Sequence, residues 1–132
     1  MWLLALLALA STASAGDQNV TVSGEDFGPR RAMTCTWFTN FENSRFSRCW
    51  DAAGPVFPEG AAASILCIGD TCSRLDNEGM KAAGSKEGGT PTGVFTVELV
   101  GRVSLRPHNP RYLGDGTETV FIEDLTSVRV SN

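Results

Sequence analysis

Trp37, Phe38, Phe41, Phe46 and Trp50 fall within fourteen residues, together with Arg45 and Arg48 and just after Arg30 and Arg31. Flat rings interleaved with guanidinium groups suit stacking on bases, sugars or an aromatic partner, with cation–π support. The same pattern also describes a strand that fills a core with rings and turns its arginines to water. Strand alternation divides the set. Trp37 shares a face with Cys35 and is expected to point inward, whereas Phe38 and its expected partner Phe46 share the other face with Trp50. Phe38, Phe46, Arg48 and Trp50 are therefore the candidate exposed binding cluster.

The four cysteines Cys35, Cys49, Cys67 and Cys72 are separated by fourteen, eighteen and five positions. No Cys-x-x-Cys pair exists, which argues against a zinc site or a thioredoxin-type redox motif. An even count behind an export signal reads as two disulfides. Folding the chain about Glu42 sets Cys35 opposite Cys49 and Phe38 opposite Phe46. Cys67 and Cys72 then bracket a tight Ile-Gly-Asp-Thr loop. Crossed pairs stapling two segments are the alternative.

Other reactive groups are sparse. The single histidine, His108, lies between Pro107 and Pro110 and reads as a solvated loop residue. No Gly-x-Ser-x-Gly elbow or other nucleophile context accompanies it. Asp115, Glu118, Glu123 and Asp124 cluster in sequence, as oxygen ligands or an acid–base pair would. They lack the calcium-loop spacing and read as a solvated face. The glycines between 84 and 93 lack Gly-Lys-Ser/Thr and precede a strand, so they are not a phosphate loop. No catalytic residue, metal ligand or cofactor is assigned.

These residues must be held by strands. From Gly93, the residues Phe95, Val97, Leu99, Val103 and Leu105 recur on one face, a period of two. Each, fully buried, is worth roughly 1.5–3 kcal/mol. Gly101 interrupts the row where a strand bends, bulges or meets another backbone. Val120 and Ile122 alternate again, and Leu125, Val128 and Val130 follow out of phase, which predicts a bulge or break near Glu123-Asp124. Residues 62–68 read as a strand, and 71–83 as a short helix with Leu75, Met80 and Ala83 as core candidates. Gly79 costs that helix about 1 kcal/mol and is expected to shorten or break it. Residues 51–60 read as a loop, and 105–116 as a connection ending in the Gly114-Asp115-Gly116 turn.

Met1 to Ala15 reads as a signal peptide: an apolar Leu/Ala run, too short to span a bilayer, then Ala13-Ser14-Ala15 before Gly16. Residues 16–31 form a lead-in with a candidate edge strand at Val20 to Val22, and 32–132 a single domain. The mature chain keeps the net charge of −4, which argues against nucleic acid as the main partner. No membrane span is expected in it.

Strand, strand, strand, helix, strand, strand over Ala32 to Val130 is the element order of the OB-fold, and the chain resembles small exported bacterial OB-like barrel proteins with disulfides. The resemblance implies a mainly β, five- to six-stranded OB-like barrel with one short helix between strands three and four, and a binding face on strands two and three. A six-stranded barrel or sandwich using Val20 to Val22 is the alternative. The reading that follows is an exported, non-enzymatic binding module, periplasmic or secreted, for a protein or small ligand. Its alternatives are a secreted enzyme inhibitor, presenting the loop Ile68 to Thr71, and a hydrolase-type enzyme using His108 or Glu123-Asp124.

Overall fold

A computed structural model describes residues 18–86 and 89–132; Met1 to Ala15, read above as a signal peptide, lies outside the described residues. The chain opens with β1 (Val20–Val22) and β2 (Glu25–Phe27), an antiparallel pair joined through Ser23-Gly24. Then come β3 (Arg31–Thr39), β4 (Ser44–Asp51), β5 (Gly54–Pro55), β6 (Ala63–Cys67), α1 (Thr71–Ala82), β7 (Gly93–Val103) and β8 (Glu118–Val130). The protein is mainly β with one helix. Six strands form one sheet in the order β3-β7-β8-β6-β4-β5, and β4 also pairs with β3. Five strands thus run in a hydrogen-bonded ring, β3-β7-β8-β6-β4, with β6 parallel to β8 and every other neighbour antiparallel.

The sixth strand of that sheet is β5, within the stretch read as a loop, and not Val20–Val22. The latter pairs only with β2, in its own two-stranded sheet. The helix follows the third strand of the ring and precedes the fourth. In chain order it lies between β6 and β7, because the N-terminal pair and β5 add three strands ahead of it.

Period-two alternation is why β7 exists. Phe95, Val97 and Leu99 are buried inside the ring, followed by Gly101 and Val103. Leu105, assigned to the same row, lies beyond the strand and is half exposed. Gly101 sits so close to β8 that a Cβ there would collide with the Phe121 carbonyl. The β7–β8 ladder shifts register twice. Leu125 pairs with Leu99 and Ser127 with Glu98, while Asp124 pairs with Val100 and Ile122 with Gly101. Each shift adds one residue to β8, which is why Leu125 returns to the core out of phase with Ile122.

The helix is neither broken nor shortened at Gly79. Gly79 is buried, and a Cβ there would lie 2.8 Å from Trp37 Cζ3 and from Pro91 Cγ. The missing side chain lets α1 descend onto Trp37, so tertiary contact overrides helix propensity. Leu75 is buried beside it, but Met80 is only partly buried and Ala83, just past the helix, is exposed.

Arg102, on the face of β7 opposite Val97, is also buried. Its Nε donates to Glu123, and its Nη1 donates to the carbonyls of Gln18 (2.6 Å) and Gly28 (3.1 Å). Phe27, fully buried against Phe121 with ring centroids 5.8 Å apart, ties the same lead-in to the sheet. The disulfides are Cys35–Cys49, across β3 and β4, and Cys67–Cys72, from the end of β6 to the start of α1. The local pairing expected from spacing is the one present. Two disulfides in a domain of this size fit an oxidising compartment. Among the described residues no helix is long and apolar enough to cross a membrane.

Candidate binding surface

The β3–β4 hairpin carries the sequence-predicted site, and one extra residue rearranges it. Cys35 pairs with Cys49 and Thr36 with Arg48, but Trp37 pairs with Phe46 and Phe38 with Arg45. Ser47 is bulged out, its Oγ 3.4 Å from the Thr36 carbonyl. The bulge reverses the phase of β4 beyond it. Phe46 therefore points inward beside Trp37 and is fully buried, so the expected Phe38–Phe46 pair and the exposed position of Phe46 are both wrong. Trp37 does point inward, its ring 5.2 Å from Phe95 and its Nε1 donating to Ser44 Oγ at 2.8 Å.

Phe38, Arg48 and Trp50 remain on the outer face, and Arg45 joins them. Phe38 and Trp50 are partly buried and Arg48 is exposed. The Arg45 guanidinium lies 5.3 Å from the Phe38 ring centre, and that of Arg48 lies 4.8 Å from the Trp50 ring. Each ring thus already carries a cation on one face. At the Trp50 end, Thr34, Trp50, Glu98 and Thr126 line an open cavity of about 450 Å³.

At the other end of the hairpin the chain turns through residues 40–43. The Asn40 side chain accepts from the backbone N–H of Glu42 (2.8 Å) and Asn43 (2.7 Å), and the Asn40 N–H donates to the Asn43 carbonyl (2.8 Å). The loop is held by its own hydrogen bonds while Phe41 projects, 92% exposed. Beside it a cavity of about 330 Å³ opens towards Leu75 and Asp76 of α1, where burial pushes the Asp76 carboxyl up.

The connection from β7 to β8 meets this loop. A Cβ on Gly114, whose φ is +85°, would collide with Asn43 Oδ1, so the two loops touch. Tyr112 and Leu113, adjacent to that contact, are 63% and 83% exposed. Asp115 holds the connection in place, its side chain fully buried. It accepts from the Ser64 hydroxyl, from the Arg111 N–H (2.8 Å) and from Arg111 Nε (3.2 Å), and Ser64 Oγ in turn accepts from the Gly116 N–H (3.0 Å). Burial opposes its charge, but the Ser64 hydroxyl and the Arg111 donors outweigh burial and hold its pKa below the usual carboxylate value.

The remaining candidates are built into the scaffold. His108 is not a solvated loop residue: its ring is only 20% exposed, with Nε2 3.2 Å from Thr119 Oγ1 and Nδ1 3.0 Å from the Asn109 carbonyl. The Thr119 hydroxyl donates to Glu25 at 3.1 Å, which links His108 to β2. Nor do the four carboxylates make a solvated face. Asp115 and Glu118 are buried, Glu123 pairs with Arg102 and Arg30, and only Asp124 is exposed. Among the described residues no three of His, Cys, Asp and Glu are grouped to hold a metal ion.

Phe41, Tyr112 and Leu113 were missed as site residues. The available signal was large apolar side chains in segments too rich in Asn, Pro and Gly to be strand, where no alternation can carry them inward. No family model, curated protein or solved structure matches the chain.

Proposed function

We propose that this protein is an exported, non-enzymatic binding module built on an OB-like barrel, acting in the periplasm or outside the cell. The ring order β3-β4-β6-β8-β7, with a helix after its third strand, supports the barrel reading. In such barrels the loop after the first ring strand and the loop between the last two flank the binding face. Here these are the segments carrying Phe41 and Tyr112-Leu113. The observation that carries the proposal is that these three side chains, all well exposed, sit on two loops that touch through Asn43 and Gly114. Large apolar side chains left exposed on adjoining loops of a fixed scaffold suit an interaction site.

The experiment is affinity capture from the exported fraction of the native host, with wild type beside the double variant Phe41→Ser/Leu113→Ser. Wild type should retain a partner that the variant loses while its melting temperature stays within a few degrees. Equal capture by both proteins would refute the loop pair as the binding surface.

An inhibitor reading has one observation in its favour. Ile68, 59% exposed, projects from the Cys67–Cys72 loop beside an apolar groove lined by Val20, Val22 and Phe121. Inhibition of a secreted hydrolase that is lost in Ile68→Asp, with the Phe41/Leu113 variant unaffected, would favour it. The enzyme reading has less support, since His108 and Glu123 are engaged in holding the loops and strands together.

A further inference from the structure

The outer face of the hairpin differs in charge from the rest of the molecule. In cross-strand rungs it reads Phe38 with Arg45, Thr36 with Arg48, and Thr34 with Trp50. The β7 residues alongside are Val94, Thr96 and Glu98, and Arg129 of β8 stands next to Thr96. Over these three rungs the face holds three arginines and one glutamate, +2 by count, on a chain of net charge −4; the next rung, Ala32 with Val100 and Asp124, adds an aspartate. Glu98 is occupied by Arg129 (3.5 Å) and Ser127 (3.2 Å). Among the described residues neither Arg45 nor Arg48 has a carboxylate within ion-pair distance, and on the helix Arg74 has none either, whereas Arg30, Arg31, Arg102, Arg106, Arg111 and Arg129 all do.

Arg45 and Arg48 are instead stacked on Phe38 and Trp50. A stacked guanidinium is held in place while its N–H edge stays open, so it can take a carboxylate in a bidentate grip with little further loss of side-chain freedom. The two arginines stand on successive outer rungs, Thr36 and Phe38 being two residues apart on β3. Along β4 itself they are three residues apart, with the bulged Ser47 between them, and their guanidinium groups lie over rings on different rungs, Phe38 and Trp50.

We infer that this face binds an extended acidic segment of a protein partner, with two of its carboxylates seated on Arg45 and Arg48. The inference rests on the binding-module reading above and specifies its partner. The charge complementarity is local and confined to two arginines. That suits a short acidic stretch better than a phosphate backbone, which calls for a broad basic surface.

The test is fluorescence anisotropy with the disulfide-intact protein and three labelled peptides: Thr-Glu-Thr-Glu-Thr, its Gln-for-Glu analogue, and Thr-Glu-Thr-Thr-Glu. A single-stranded oligonucleotide is the fourth probe. The acidic peptides should bind better than the Gln analogue, and Arg45→Gln and Arg48→Gln should each weaken acidic-peptide binding about tenfold. Arg74→Gln, on the helix, should leave it unchanged. Equal binding of the Gln analogue, no loss in either arginine variant, or tighter binding of the oligonucleotide would each overturn the inference. If these peptides fail while capture still depends on Phe41 and Leu113, only the partner class is wrong. If both fail, the binding-module reading falls too.

Discussion

Ser47 decides the direction of Phe46. Without the bulge Phe46 would oppose Phe38 and face solvent; with it, Phe46 opposes Trp37 in the core. Phe46→Ala is therefore a core truncation, expected to cost about 3–5 kcal/mol. Phe38→Ala, on the outer face, should cost far less. Urea unfolding of the two variants decides it, and equal losses would place both rings on one side of the sheet. Gly79 sets two effects in opposition. Alanine there gains about 1 kcal/mol of helix propensity but forces a methyl into Trp37 and Pro91, an overpacking cost of about 1–3 kcal/mol. Trp37 cannot easily yield, because it is buried and its Nε1 is held by Ser44. Gly79→Ala should lower the melting temperature; a rise would mean that the helix lifts away freely. Neither residue's role was legible in sequence, for one physical reason. A bulge and a close approach are properties of the partner surface, and the local pattern around Ser47 or Gly79 holds no trace of it.

Elements whose inner faces repeat every second residue were legible. Phe95, Val97 and Leu99 announced β7, and the phase break after Ile122 announced the bulging of β8. The short β5 and the polar anchoring of the β7–β8 connection were not. Two residues carry no period, and the buried bonds of Asp115 and His108 depend on Ser64 and Thr119, fifty-one and eleven positions away. That anchoring has a pH signature. The Asp115 pKa is lower folded than its ordinary 3.8. Its contribution is therefore fully present above about pH 4 and is lost as pH falls through the folded value. The stability gap between wild type and Asp115→Asn should be widest near pH 7 and narrow as pH falls below the ordinary carboxylate value. Asp51, also held low, mainly by the Ala53 N–H, titrates in both proteins and cancels from the difference. A gap that stays constant down to pH 2.5 would show that Asp115 acts by shape and not by charge.

At the scale of the molecule, the ring is very unevenly joined. β3 and β7 share nine paired positions, and β7 and β8 nine more, but β4 and β6 meet at one, Phe46 with Ala63. Closing a sheet normally removes the free edges through which strands recruit other chains. Here closure hangs on a single clasp. Amide hydrogen exchange should find the lowest protection in the ring along the β4–β6 border and the highest along β3–β7. Uniform protection around the ring would contradict this. Each opening of the clasp turns β4 and β6 into two complementary raw edges on one molecule. A crowded solution then offers a second copy the chance to close the gap before the first recloses, and strand-exchanged dimers, scarce when dilute, become the characteristic way for this chain to misassemble.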